Sequence, residues 1–448
     1  MMAPFHPAAH PRDRARTVTH SADIGQPIGP SHGHHIDSGG MQPRRAAVTA
    51  PSDARGRGTG PMPVSSSTTT AAEPRRILAC RHVRGEMHEQ PDVLARLSRH
   101  VEHFARQVGA LAAAHGGFRD VVFLAPARTQ PVAILGRHAV AERLGPQALP
   151  PHTDPDAQAT APDRRLVIAL SPSGEDERVL ELSRRAVDAG SAVVTVTNDA
   201  ASPLARLDAF NVDIAAGLEL SASPTKTVTG MMLAVLALVD GLPAARGALP
   251  HLASHAAAEA LARAVGDLLA DHAPADAAAA SLVPARRVAV VGEGPYHPAA
   301  LETARMLRET ADLLVEGFSV QEFRSGPLGG FDAETAVVLF VGPAQATVRS
   351  LRARLGARGA HVVAIGNARD APARPDLPLS DPRVSGAAEC VLATVRGQQL
   401  AIAAARALGV DPDRPAVTDL TSPSLVRTYE RARARGRAER GAGDERKG

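Results

Sequence analysis

The feature that most constrains this chain is a repeat. The apolar run at residues 166–170 (LVIAL) leads into a helix-periodic stretch at 178–189, then Gly190, then a second run at 192–198 (AVVTVTN). About 170 residues later the order recurs: VVLFV at 337–341, a helical stretch at 346–358, Gly359, and HVVAIGN at 361–367. Helical stretches at 90–115 and 251–272 likewise lead into VVFLA at 121–125 and VAVVG at 288–292. Apolar runs of this length without alternation read as strands buried on both faces. Helices between them imply parallel strands with right-handed crossovers. The expectation is an α/β protein of two tandem doubly wound parallel-sheet domains, at 75–245 and 246–427. Residues 1–74, rich in Pro, Gly, Ser, Thr, Ala and His, read as a disordered extension, and 428–448 as a charged tail.

Composition narrows the partners. Fifty basic against 47 acidic residues leave a net charge of +3. The excess lies in the C-terminal tail, so no nucleic-acid footprint is expected. The best apolar run, 231–239, is too short for the roughly 18 residues of a membrane span, and no membrane partner is expected. The N-terminus lacks the apolar region of a secretory signal. Cys80 and Cys390 suit neither a disulfide framework nor a zinc site. The expectation is a reduced, cytoplasmic protein without metal or cofactor. Lys226 and Lys447 are its two lysines, so imine chemistry inside the folded region has one candidate, Lys226.

Ligands of such sheets sit beyond the carboxyl ends of the strands, where three clusters stand out. Ser171-Pro172-Ser173-Gly174-Glu175 follows a strand and precedes a helix. Its hydroxyls, glycine and backbone N–H groups suit a phosphate, or serve only as a serine-capped helix start. The equivalent second turn, 342–346, has no hydroxyl until Thr347, which predicts phosphate binding in the first unit alone. Ser221 to Thr227 places four serine and threonine hydroxyls and Lys226 before another helix. In the third cluster, Gly292 to Tyr296 precedes a helical stretch on which Glu302 and Glu309 share a face. A carboxylate there could move a proton between sugar carbons, or both could be solvated partners of Arg305 and Arg308.

These residues resemble the double sugar isomerase (SIS) family, which includes the isomerase half of glucosamine-6-phosphate synthase, SIS-type glucosamine-6-phosphate deaminases and ketose-phosphate aldose isomerases. Glu86-Met87 with Glu89-Gln90-Pro91 is similar to E-I-x-E-Q-P, and 171–175 to S-Q-S-G-E. Asn198 with 202–204 resembles T-N…S-P-L, and Gly217, Glu219 and 225–227 resemble G-x-E…T-K-x-F-T. Residues 292–296 resemble G-R-G-x-x-Y, 300–302 with 307–309 resemble A-L-E…L-K-E, and 316–319 with 326–327 resemble A-E-x-F…H-G-P.

The resemblance implies a flavodoxin-like SIS fold, a phosphorylated amino or keto sugar as ligand, and a homodimer. It implies a phosphate site at Ser171, Ser173, Gly174, Thr129, Arg128, Thr225 and Lys226. It implies catalysis by Glu309, which falls where synthases keep the C1–C2 proton carrier, with Glu302 and Glu322 assisting. The departures are specific. The family's G-T-S turn becomes Ala127-Arg128-Thr129, its helix lysine Met306, its ring-opening histidine Ser325, and its C-terminal lysine Leu420. His297 stands as a candidate replacement acid or as a surface histidine. With no glutaminase motif before the first unit, a glutamine-dependent synthase is not expected. An isomerase or amino-sugar-phosphate deaminase is the leading expectation, and a non-catalytic phosphosugar sensor the alternative.

Overall fold

The computed structural model describes residues 80–145, 164–207, 209–244, 250–252, 254–342, 346–367, 375–379, 384 and 386–413. The expected extension and charged tail, with Leu420 and Lys447, lie outside them.

The apolar runs form two parallel sheets. The first has the order β1 (Asp120–Leu124), β2 (Arg165–Leu170), β3 (Ala192–Thr197), β4 (Phe210–Asp213). The second has β5 (Arg287–Gly292) inside, in the order β6 (Val315–Ser319), β5, β7 (Thr335–Val341), β8 (His361–Asn367), β9 (Leu377–Leu379). Every pairing is parallel. The sequence runs mark all the interior strands and miss β4, β6 and β9, which are edge strands. An edge strand needs no continuous apolar run, and β6 (VEGFS) exposes or half-exposes four of its five residues.

Side chains alternate between two environments along each strand, as the pleat requires. Leu166, Ile168 and Leu170 of β2, with Ala336, Val338 and Phe340 of β7, enter one large core. Val167 and Ala169 instead meet α5 (Glu177–Asp188) in a small outer cluster. Val337, Leu339 and Val341 do the same beneath α10 (Val320–Arg324) and α11 (Ala346–Ala357).

Helices fill the large core that both sheets share. The first unit supplies α1 (Arg81–His88), α2 (Gln90–Ser98), α3 (Val101–Ala114), α4 (Gln130–Leu144) and α6 (Lys226–Asp240). The second supplies α7 (His255–Ala270), α8 (Ala273–Ala279), α9 (His297–Ala311) and α12 (Glu389–Leu408). The expected helix at 90–115 is broken near Ser98, whose hydroxyl bonds back to the carbonyl of Ala95 at 2.8 Å. All 15 residues of α6 are buried, so the apolar run 231–239 is a core helix. Each large side chain in it contributes roughly 1.5–3 kcal/mol by leaving water. Among the described residues, no helix is long and apolar enough to cross a membrane.

The seam that matters for the site is α9. It packs along α12 and against α4. Gly397 of α12 sits where any Cβ would strike the Thr303 side chain, which lets the two backbones approach closely. This contact fixes the rotation of α9 and hence the direction in which Glu302, Arg305 and Glu309 point.

Candidate functional site

The carboxyl end of the first sheet begins the site. After β2 the chain turns through residues 171–176 into α5. Gly174 takes φ +61°, and a Cβ there would overlap the Ser202 side chain, so only glycine fits. Its N–H donates to the Ser171 carbonyl at 3.0 Å and to Ser171 Oγ at 3.1 Å. The Glu175 N–H donates to Ser173 Oγ at 3.3 Å. The amides expected to be free are therefore held by the turn's own serine oxygens. Asp176, rather than a serine, caps α5 by accepting from the Val179 N–H at 2.9 Å. An arriving phosphate oxygen would replace the serine oxygens as acceptor, and the hydroxyls could rotate to donate. The turn is braced by Asn198, whose N–H donates to the Pro172 carbonyl at 2.8 Å.

The short turn after β1 lies beside it. Thr129 is buried and its hydroxyl points toward the carbonyls of Pro126 and Leu170, at 3.3 and 3.4 Å. Arg128 reaches away from this turn: its Nη1 donates to the Ala222 carbonyl at 2.8 Å, and its Nη2 lies 3.4 Å from Glu309 Oε1. Thr129 thus bonds to the residue just before the 171–176 turn, while its neighbour Arg128 reaches Glu309.

Glu309, which Arg128 reaches, stands near the end of α9. Ser223 Oγ donates to its Oε2 at 2.9 Å, and Arg305 Nη1 donates to the same oxygen. Arg305 also grips Glu302 through Nε, at 3.0 Å, and Nη2, and touches the Pro224 carbonyl at 3.3 Å. Burial raises the Glu309 pKa, but Arg305, Arg128 and the Ser223 hydrogen bond outweigh it and hold the carboxyl below its ordinary value. Burial likewise opposes the charge of Arg305, and its two carboxylates reverse that, so it stays a cation. Glu302 is 1% exposed and locked to Arg305, which makes it a positioning group. The Glu309 and Arg128 side chains keep 23% and 28% of their surface, enough for a ligand to touch both.

The second expected cluster is arranged otherwise. At the start of α6 the N–H groups of Thr225 and Lys226 donate to Glu219 Oε1 at 2.7 and 2.8 Å, and the Thr227 hydroxyl donates to Glu219 Oε2. The protein's own carboxylate fills this helix N-terminus, where phosphate was expected. Lys226 is 2% exposed and its Nζ lies 2.5 Å from Glu89 Oε2, so it is committed to an ion pair. Beside Glu219, Glu86 of α1 accepts from the Leu220 N–H and, at 3.0 Å, from the Ser221 N–H. Burial, then the neighbouring Glu219 charge, push the Glu86 carboxyl up to about 8. Together Glu86 and Glu219 pin both sides of the loop that presents Ser223.

Glu322 is not brought to Glu309. It closes a capping box with Ser319 at the start of α10, and its Oε2 lies 4.0 Å from His297 Nε2. His297 opens α9 and Glu309 lies near its end, about 18 Å apart along the axis. A single hexose could not touch both. Burial lowers the His297 pKa, and hydrogen bonds from Ser319 lower that of Glu322. Among the described residues no three His, Cys, Asp or Glu side chains converge as a metal ion would need.

Comparison with known proteins places this geometry. The SIS domain family model matches at residues 129–240 and again at 281–376. The chain carries two SIS domains. The double-SIS chain is 32% identical over 262 residues to the glutamine--fructose-6-phosphate aminotransferase (isomerizing) of Mycolicibacterium smegmatis. That match covers 56% of this chain and 42% of the relative, so it spans less than half of the relative's length. Its fold is that of tagatose-6-phosphate ketose/aldose isomerase from Escherichia coli, with TM-score 0.63 and 18% identity over 77% of this chain and 98% of that one. The C-terminal domain of glucosamine-fructose-6-phosphate aminotransferase from Francisella tularensis gives TM-score 0.59 and 17% identity, over 75% and 98%. The double-SIS chain is thus related to the isomerase half of those synthases.

Sequence reasoning gave no individual role to Glu86 or Glu219, counted Ser223 only among the hydroxyls before α6, and named Arg305 only as a partner of solvated glutamates. The first two were visible as motif positions, E-x-x-E-Q-P and G-x-E, but their partners are backbone amides that no side-chain pattern announces. Arg305 was visible as a helix neighbour of Glu302 and Glu309 at i+3 and i−4, the spacing of an intrahelical pair.

Proposed function

We propose that this protein binds a hexose or hexosamine 6-phosphate and moves a proton between its sugar carbons, as an aldose–ketose isomerase or amino-sugar-phosphate deaminase. The observation that carries the reading is Glu309. It is an ionised, partly accessible carboxylate beside Arg128, whose neighbour Thr129 bonds to Leu170 at the start of the 171–176 turn. The phosphate dianion would take the Ser171–Gly174 turn, with Ser173 and Thr129 as further donors. Arg128, already beside Glu309, would move to an anionic or hydroxyl oxygen of the sugar as the ligand arrives. That movement removes one cation from Glu309 and makes it a stronger base. Pairing of two copies belongs to the same reading, and sedimentation equilibrium checks it.

The test is a thermal-shift panel of glucosamine, fructose and glucose 6-phosphates on the full chain, followed by assays of ammonia release and aldose–ketose interconversion. Glu309→Gln should keep the thermal shift and lower turnover about 10²–10⁴-fold. Turnover that survives the substitution would overturn the assignment of the base.

A second reading is favoured by the two guanidinium groups on Glu309. A carboxylate held by Arg305 and Arg128 together is a weak base, and a site of this kind suits a phosphosugar sensor. A ligand-induced shift without turnover would establish that reading.

A further inference from the structure

The second unit carries an arrangement that its sequence alone did not suggest. Between α10 and α11 lies a hollow of about 200 Å³ lined by Arg324, Thr347, Ser350, Leu351 and Arg354. The two helices follow β6 and β7, the strands on either side of β5. The hollow therefore lies between elements of two different crossovers, one following each neighbour of β5.

Its charge is one-sided. Arg324 comes from α10 and Arg354 from α11, and no carboxylate lines the hollow. Nearby, Arg352 pairs with Asp376 and Arg358 donates to the Phe331 and Gly329 carbonyls. Arg324 and Arg354 make no ion pair or hydrogen bond among the described residues. Both arginines are exposed, and a shared anion would bridge the two cations across one hollow. Two hydroxyls, from Thr347 and Ser350, stand between them as neutral donors.

The geometry points to a second anion site here, taking orthophosphate or the phosphate end of a small phosphate monoester. The volume decides the class. At about 30 Å³ per water, the hollow holds a phosphate with a few waters, and it lies below the roughly 300 Å³ at which sites for whole drug-sized ligands begin. A guanidinium on each side suits a dianion better than a carboxylate, because each fork can engage two oxygens. The sequence expectation of phosphate binding in the first unit alone rested on the missing hydroxyl in the turn after β7. It did not count Arg324, which belongs to a different crossover.

The site is tested without reference to turnover or to the first site. The full chain is treated with phenylglyoxal, and modification of Arg324 and Arg354 is followed by peptide mass spectrometry. It is done in orthophosphate, in glucose 6-phosphate, in adenosine monophosphate, and in chloride of equal ionic strength. At a phosphate concentration ten times the dissociation constant, both arginines should react about tenfold more slowly than in chloride, while exposed Arg286 is unaffected. Protection by orthophosphate alone would assign a free-anion site, and protection by an ester as well would assign a phosphate monoester. Ser171→Ala/Ser173→Ala should leave the protection intact, whereas Arg324→Gln should abolish it at Arg354. Equal rates in phosphate and chloride would overturn the proposal. Loss of protection in the serine variant, with its fold intact by circular dichroism, would also overturn it.

Discussion

Ser223 and Glu309 are 86 residues apart in the chain, and a 2.9 Å hydrogen bond joins them. The bond crosses from the loop before α6 to the end of α9, so it reports directly on how the two SIS units meet. It is also one of the interactions that keep Glu309 ionised. In Ser223→Ala the carboxyl should titrate about one pH unit higher, since a hydrogen bond to a charged group contributes roughly 1.5–3 kcal/mol and one unit corresponds to about 1.4. Carbon-13 titration of the Glu309 carboxyl checks this, and an unmoved titration would show that Arg305 and Arg128 set its charge without Ser223.

Arg305 holds two carboxylates, one of them almost fully buried. Removing one partner of a buried ion pair strands the other and costs about 3–5 kcal/mol. Arg305→Ala should lose that much stability by urea denaturation at pH 7. The loss should shrink as pH falls below 4.5, where stranded carboxylates take up protons. A loss under about 1 kcal/mol at pH 7 would mean the triad is solvated.

Glu86 makes stability depend on pH in the opposite sense to an ordinary acidic group. Its folded value, about 8, lies above the ordinary 4.5, so the folded state holds a proton that the unfolded state releases. The contribution is fully present below about pH 4.5 and is lost as pH rises toward 8. The melting temperature of the wild type should therefore fall across that window relative to Glu86→Gln, which stays neutral and keeps one acceptor oxygen. Parallel curves for the two proteins would remove Glu86 from the account.

Gly174→Ala should weaken phosphosugar binding. The substitution meets both an unfavourable φ and the Ser202 side chain, and strain of this kind costs about 1–3 kcal/mol. If the turn holds phosphate, the dissociation constant for glucosamine 6-phosphate should rise at least tenfold. Glucose without phosphate serves as the control ligand. Unchanged affinity in a folded variant would move the phosphate elsewhere.

The interior strands, their parallel pairing and the duplicated architecture were legible in the sequence, because buried parallel strands must be apolar throughout. The carboxylates of α9 were legible for a similar reason, since helical spacing puts residues 302, 305 and 309 on one face. Three of the four edge strands, β4, β6 and β9, were not, because one exposed side frees an edge strand from that pattern. The reading of Thr225 and Lys226 as phosphate ligands was reasonable from the hydroxyls alone. The structure seats Glu219 there, and a carboxylate six residues upstream looks in sequence like any solvated acid.

The residues themselves therefore determined the two-sheet plan and the helix face that bears Glu309, both consequences of local periodicity and burial. Tertiary structure decided the rest: that Ser223 and Arg128 reach Glu309, that Glu322 lies beside His297 at the opposite end of α9, and that two arginines share a hollow. Those outcomes depend on how helices from different repeats rotate and pack, and close-packed contacts such as Gly397 on Thr303 set that rotation.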